Sequence, residues 1–115
     1  MYVKSAEDIA AAAVMAPGAQ DALKRVLIGP AQGWEGWVMR MFTLGPGGHS
    51  PSHAHPWPHI VFVHSGEGAI IVDGQEHPVR AGHAAVVPAD AQHQFAQRGH
   101  GEFCFICIVP EEGDL

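Results

Sequence analysis

His59-Ile60-Val61-Phe62-Val63-His64-Ser65-Gly66-Glu67-Gly68-Ala69-Ile70-Ile71-Val72-Asp73-Gly74-Gln75 contains two short apolar runs, His59 to His64 and Ala69 to Val72, parted by Ser-Gly-Glu-Gly and closed by Asp-Gly. Asp73-Gly74 suits a two-residue hairpin, because both central positions of such a turn need positive φ. The same rhythm continues on either side. Val26 to Ile28, Trp37 to Leu44, Ala84 to Val87 and Phe103 to Val109 are rich in β-branched and aromatic residues, and a further short strand begins at His93. Between them lie Gly29-Pro30, Gly45-Pro46-Gly47-Gly48 and Pro88-Ala89-Asp90. Short strands punctuated this way predict an all-β sandwich or barrel.

Before Val26 the pattern differs. Ser5-Ala6-Glu7-Asp8 followed by Ile9 to Met15 fits a capping box opening a short helix, which Pro17-Gly18 would end. An arm lying extended against a sheet fits the same residues. Residues 1–25 are therefore assigned to an N-terminal arm and 26–115 to a single β-barrel domain.

The chain has 115 residues, enough for one core. Its 14 glycines and 9 prolines disfavour long helices. Hydrophobic residues make up 47% and charged ones 16%, the balance of a chain that folds. Six Lys and Arg against twelve Asp and Glu give a net charge of −6, the wrong sign for nucleic acid. No apolar run approaches the ~18 residues of a membrane helix, and no basic, apolar leader is read at the start. Cys104 and Cys107 lie three apart on an expected strand, so their thiols should face opposite sides and remain reduced. A cytoplasmic location is expected.

Trp37 to Leu44, Ile60 to Val63 and Phe103 to Val109 are apolar on both faces. A strand buried on one face only would alternate. A homodimer covering the outer face is the economical expectation, and coverage by the N-terminal arm is the alternative.

Nine histidines are the compositional anomaly. His53 and His55 are two apart, which places both imidazoles on one face of an extended chain. His59 follows the bend of Pro56-Trp57-Pro58 and opens an apolar strand, while His93 lies beyond Pro88-Ala89-Asp90. Converging imidazoles of this kind form a site for a divalent transition metal. His49, His64, His77, His83 and His100 sit mostly in turn-like segments and read as solvated surface residues.

These residues carry a resemblance to the cupin superfamily of small single-domain jelly-roll barrels. The first cupin motif, G-x5-H-x-H-x3,4-E-x6-G, is matched by Gly47, His53, His55, His59 and Gly66 at the same spacings. The second, G-x5-P-x-G-x2-H-x3-N, is matched by Gly82, Pro88, Asp90, His93 and Gln97. Three positions depart from the two motifs: in the first His59 replaces glutamate, and in the second Asp90 replaces glycine and Gln97 asparagine. The four-histidine set is similar to that of short manganese cupins. That resemblance implies a manganese or iron site, with nickel, copper or zinc also suited to imidazole, and dioxygenase-like oxidation of a small organic molecule. A non-oxidative isomerase or lyase and a non-catalytic binding protein are the alternatives.

Four neutral imidazoles leave an M²⁺ ion its full charge, which strengthens it as a Lewis acid and disfavours higher oxidation states. An octahedral ion would keep two open positions, whereas tetrahedral zinc would be closed and structural. Phe103, Phe105, Cys107 and Val109 share one strand face, as do Val61 and Val63 with His59. Val61, Phe105 and Cys107 are expected in the wall of a small-molecule pocket. Arg40 would be costly to bury unpaired. It is expected either to face inward toward a substrate carboxylate or outward toward an acid across a dimer interface. Cys107 reads as a thiol near the metal or a small core residue. Trp57, between two prolines, is expected to shape the mouth.

Overall fold

The computed structural model describes residues 1–115. Nine strands follow in order: β1 (Ala12–Ala13), β2 (Gln20–Ile28), β3 (Trp37–His49), β4 (His59–Ser65), β5 (Glu67–Val72), β6 (Gln75–Arg80), β7 (Ala84–Val87), β8 (His93–Arg98) and β9 (Phe103–Pro110). They form one curled antiparallel sheet in the order β6-β5-β8-β3-β9-β4-β7, with β2 on β3 and β1 on β2. This is the all-β architecture expected from the turn rhythm, in the jelly-roll form that the resemblance implies. The long β3 connects its two halves, pairing with β8 at His49 and with β9 from Trp37 to Leu44.

Asp73-Gly74 makes the hairpin its composition requires. The two residues have φ of 49° and 82°, and Val72 pairs with Gln75 across the turn. Gly45 to Gly48 does not form the expected turn, because β3 runs through it to His49. The glycines admit a close crossing of β2, where Asp21 has φ 45° and the register shifts between Gln20 and Ala22. A Cβ on Gly48 would lie 2.7 Å from the Asp21 carbonyl oxygen. The segment is an irregularity of the bulge kind, which bends a strand without ending it.

The short helix expected after Ser5 is only a 3-10 turn, Ala6–Asp8, with no buried residue. The alanine-rich segment behind it has too little apolar bulk to dock a helix. It runs extended instead: Ala12 and Ala13 pair with Lys24 and Leu23, and Arg25 Nε donates to the Ile9 carbonyl at 3.1 Å. β2 crosses position 25 without interruption.

The core lies between the sheet halves. Leu44, Val61, Val63, Val87, Phe103, Phe105, Cys107 and Val109 are each no more than 1% exposed. Fully burying side chains of this size contributes about 1.5–3 kcal/mol apiece for the larger ones. Alternation along β4 is clean, with His59, Val61 and Val63 buried and Ile60 and Phe62 exposed. Val86 of β7, paired with Ile60, is exposed as well. The N-terminal arm therefore does not cover this outer face. The two thiols are free and diverge, Cys104 toward Thr43 and Cys107 toward Arg40. No helix is long and apolar enough to cross a membrane.

Candidate metal centre

His53 and His93 are brought together by the backbone. Each amide donates to the other's carbonyl, at 3.0 and 2.8 Å, in an isolated antiparallel bridge. His55 is held two residues on, its carbonyl accepting from the Asp90 amide at 2.6 Å. Asp90 has φ 66°, so it adopts the left-handed conformation that the glycine of the motif would supply. Gln97 ties down the turn at the strand end: its Oε1 accepts from the Gly47 amide, and its Nε2 donates to the Gly99 and Gly101 carbonyls. Both departures from the motif thus keep a local geometry.

One potential ligand atom from each of His53, His55 and His93 lies within 4.8 Å of the others. His59 stands beside this trio, its ring centroid 4.5 Å from that of His93 and 5.4 Å from that of His55. His93 Nδ1 donates to the Ala91 carbonyl at 3.0 Å, which leaves the lone pair on Nε2. That Nε2 is buried without a partner, and so is Nε2 of His59, whose Nδ1 lies 3.3 Å from Cys107 Sγ. Buried nitrogens left unpaired in this way are what a metal would satisfy.

The electrostatics agree. Burial first, then the charges of neighbouring imidazoles and Arg40, lower the pKa of His53 to about 4 and of His59 to about 3. His55 is lowered for the same reasons, with His93 and Arg40 as its charged neighbours. Near neutral pH these rings are uncharged, the form that coordinates a cation. The residues fit a divalent metal.

The imidazoles open onto a cavity of about 260 Å³. Phe105 and Cys107 line it as expected, and so does Arg40, whose inward alternative is the one adopted. Val61 does not line the cavity. Its side chain is taken up by the core with Val63 and Val87, while Cys107 and Arg40, paired in the same cross-strand row, stand at the surface of the space. Cys107 is buried, which raises its pKa against the opposing pull of Arg40.

Trp57 does more than shape a loop. Its ring stacks on His55, with centroids 4.8 Å apart and planes 7° from parallel. Two other residues escape sequence reasoning altogether: Lys24 of β2 and Asp114, which form an ion pair at 2.5 Å near the cavity. Only strand register and the return of the chain after β9 bring them there.

Comparison with known proteins places this architecture. Residues 40–109 match the Cupin domain family. The chain is 36% identical over 56 residues to a dimethylsulfoniopropionate lyase, DddW, of Ruegeria pomeroyi, covering 49% of this chain and 37% of that one. It is 32% identical over 76 residues to the 1-methylthio-D-xylulose 5-phosphate methylsulfurylase of Rhodospirillum rubrum, covering 66% of this chain and 49% of the relative. The chain thus spans half or less of the length of these curated relatives. Among solved structures, the polyketide cyclase RemF of Streptomyces resistomycificus superposes with a TM-score of 0.89 at 28% identity, covering 96% of this chain and 79% of that one.

Proposed function

The chain belongs to the cupin family, and from that premise we propose that it is a metal-dependent enzyme acting on a small organic molecule without net oxidation. The observation that carries this reading is the histidine cluster, with two buried and unpartnered Nε2 atoms, at the wall of a partly apolar cavity.

His53, His55 and His93 would hold the ion, with His59 as the fourth donor. When bound, a divalent metal supplies Lewis acidity to a carbonyl or carboxyl oxygen. The chain's own residues supply the rest. Phe42, Phe95 and Phe105 line the cavity and exclude water from the reacting centre. His93 is locked in one tautomer by Ala91, and the His55 ring is held against Trp57. Arg40 sets a fixed positive charge beside an already uncharged ligand set, so the site as a whole opposes an increase in positive charge. That favours chemistry in which negative charge develops on the substrate over chemistry that raises the metal's oxidation state. Elimination by a lyase and ring closure by a cyclase, the reactions named for two of the similar proteins, both place demands of that kind.

The test is elemental analysis of protein purified without added metal, followed by solvent-deuterium exchange into C3 of 2-oxobutyrate, read by NMR with air excluded. Exchange is expected with metal-loaded protein and lost after chelation and in His93→Ala. Oxygen uptake coupled to substrate loss would instead assign the manganese or iron dioxygenase-like chemistry implied by the resemblance. Ligand binding without turnover would make the protein a binding module.

A further inference from the structure

Arg40 is only 6% exposed, yet it is poorly satisfied. A guanidinium carries five N–H donors. Here Nη2 donates to Cys107 Sγ at 3.2 Å, a weak acceptor, and Nε has no partner. Its one acidic neighbour is Asp114, with Oδ1 3.8 Å from Nη1. The Phe42 ring lies 5.0 Å below the guanidinium. Lys24 joins it by register. Lys24 pairs with Phe42 across β2 and β3, and Arg40 is two residues from Phe42, so all three share the cavity face. The same Asp114 Oδ1 sits 2.5 Å from Lys24 Nζ.

Two cations on one face of the cavity thus meet a single side-chain carboxylate, from the turn after β9. Asp114 follows a short 3-10 turn, Glu111–Gly113, whose acidic residues are exposed. Backbone bonds hold that turn through the Glu111 amide to the Gly36 carbonyl and the Asp114 amide to the Glu111 carbonyl. Lys24 Nζ also donates to the Leu115 carbonyl at 3.4 Å. Few apolar contacts anchor the segment: Gly113 rests on the Trp57 indole, while Leu115 is 83% exposed. A segment held this lightly opens locally at low cost.

We infer that Arg40 and Lys24 form the receptor for a carboxylate group of the substrate, and that the Asp114 side chain occupies this receptor as an internal stand-in that the substrate displaces. The inference deepens the proposed function and rests on its identification of the cavity as the substrate site. A guanidinium with free donors is matched to the planar fork of a carboxylate. The occupant already seated there is a carboxylate, which names the class. The bound acid would leave its other end directed at the histidine cluster, because Arg40 and the imidazoles line the same cavity. Neutral analogues would gain nothing from the cations and would still have to displace the 111–115 segment.

Benzoate and its neutral amide, benzamide, serve as probes. Calorimetry on the full chain after chelation measures binding without an ion that could itself take the carboxylate. Benzoate is expected to bind at least about tenfold more tightly than benzamide, since only the acid satisfies Arg40. Asp114→Asn should tighten benzoate by about fivefold, because it removes a competing ion pair from a partly exposed position. Arg40→Lys and Lys24→Met should each weaken it, the former more. Lys24 and Asp114 are partly exposed, so their variants report even if Arg40→Lys does not fold. Equal binding of acid and amide, or an Asp114→Asn affinity unchanged or weakened, overturns the inference. Metal content measured on the same preparations before chelation separates the two ideas: protein without metal that still selects benzoate refutes the proposed function and leaves the receptor standing.

Discussion

Acidification of the metal-free protein is the perturbation whose size follows most directly from the site. In the unfolded chain each imidazole titrates near its ordinary value of 6.5, whereas in the fold His53 titrates at about 4 and His59 at about 3. Both folded values lie below the unfolded ones. The unfolded chain therefore binds more protons between those values and 6.5, so stability is fully present above pH 6.5 and is lost as pH falls toward the folded values. At pH 5 the two groups together leave nearly two protons' difference between the states, a slope of about 2.5 kcal/mol per pH unit before any discount. From pH 7 to pH 5 the loss reaches at most about 4 kcal/mol, and about half that once the partly exposed His53 is discounted for screening by water. Against a typical stability of about 5–15 kcal/mol this is a large fraction. His55 adds in the same direction. Urea unfolding of chelated protein at steps between pH 7 and pH 5 should show the midpoint falling, and the fall should shrink in His59→Phe. A midpoint that does not move over this range, or a His59→Phe protein with the same slope as the parent, would refute the reasoning that burial holds these rings neutral.

The double substitution His53→Ala with His55→Ala should remove bound metal while the barrel stays folded, because both residues lie outside the core cluster; elemental analysis and circular dichroism read the two halves of that statement. Gly68→Ala should destabilise by about 1–3 kcal/mol in urea titration, since the new Cβ would lie 2.3 Å from the fully buried Phe103 ring, which has no room to withdraw. If a second copy covers the exposed Ile60, Phe62 and Val86, the parent protein sediments as a dimer and Phe62→Glu as a monomer with unchanged metal content. A parent that sediments as a monomer at high concentration would end that expectation.

The parts of the fold legible in the chain are those set by local chemistry. Asp73-Gly74 demands a particular turn, and the two-residue period of a strand puts Val61 and Val63 on the face of His59, although residues 60–63, apolar throughout, do not say which face is buried. β6 was not legible, because Gln75-Glu76-His77-Pro78-Val79-Arg80 is almost wholly exposed and contains a proline. Such a strand survives only at a sheet edge, where no partner needs the missing amide, and edge position is a tertiary fact. The bend within β3 was hidden for a similar reason. Gly45 and Gly48 look like turn residues, but Gly45 leaves room for the Asp21 carboxylate and Gly48 for the Asp21 carbonyl. Of the site, the spacing of His53, His55, His59 and His93 was visible because each lies beside its own bend or strand start. Lys24 and Asp114 were not, since ninety residues separate them and only the register of β2 and the turn after β9 bring them together.

The replacement of glutamate by histidine at position 59 and the burial of Arg40 are two sides of one arrangement. Arg40, Cys107 and His59 are linked in series, guanidinium to sulfur at 3.2 Å and sulfur to imidazole at 3.3 Å. A glutamate in the place of His59 would put a carboxylate within reach of that chain, and the guanidinium would be drawn to it as the strongest acceptor available. The cation would then be neutralised inside the wall. With imidazole there, the sulfur is the only side chain of the barrel wall to accept from Arg40, and Nε is left without a partner. On the proposed reading, a neutral set of donors would keep both a bound ion's charge and the arginine's charge available to whatever enters, at the cost of a buried guanidinium whose one acidic neighbour comes from the turn after β9.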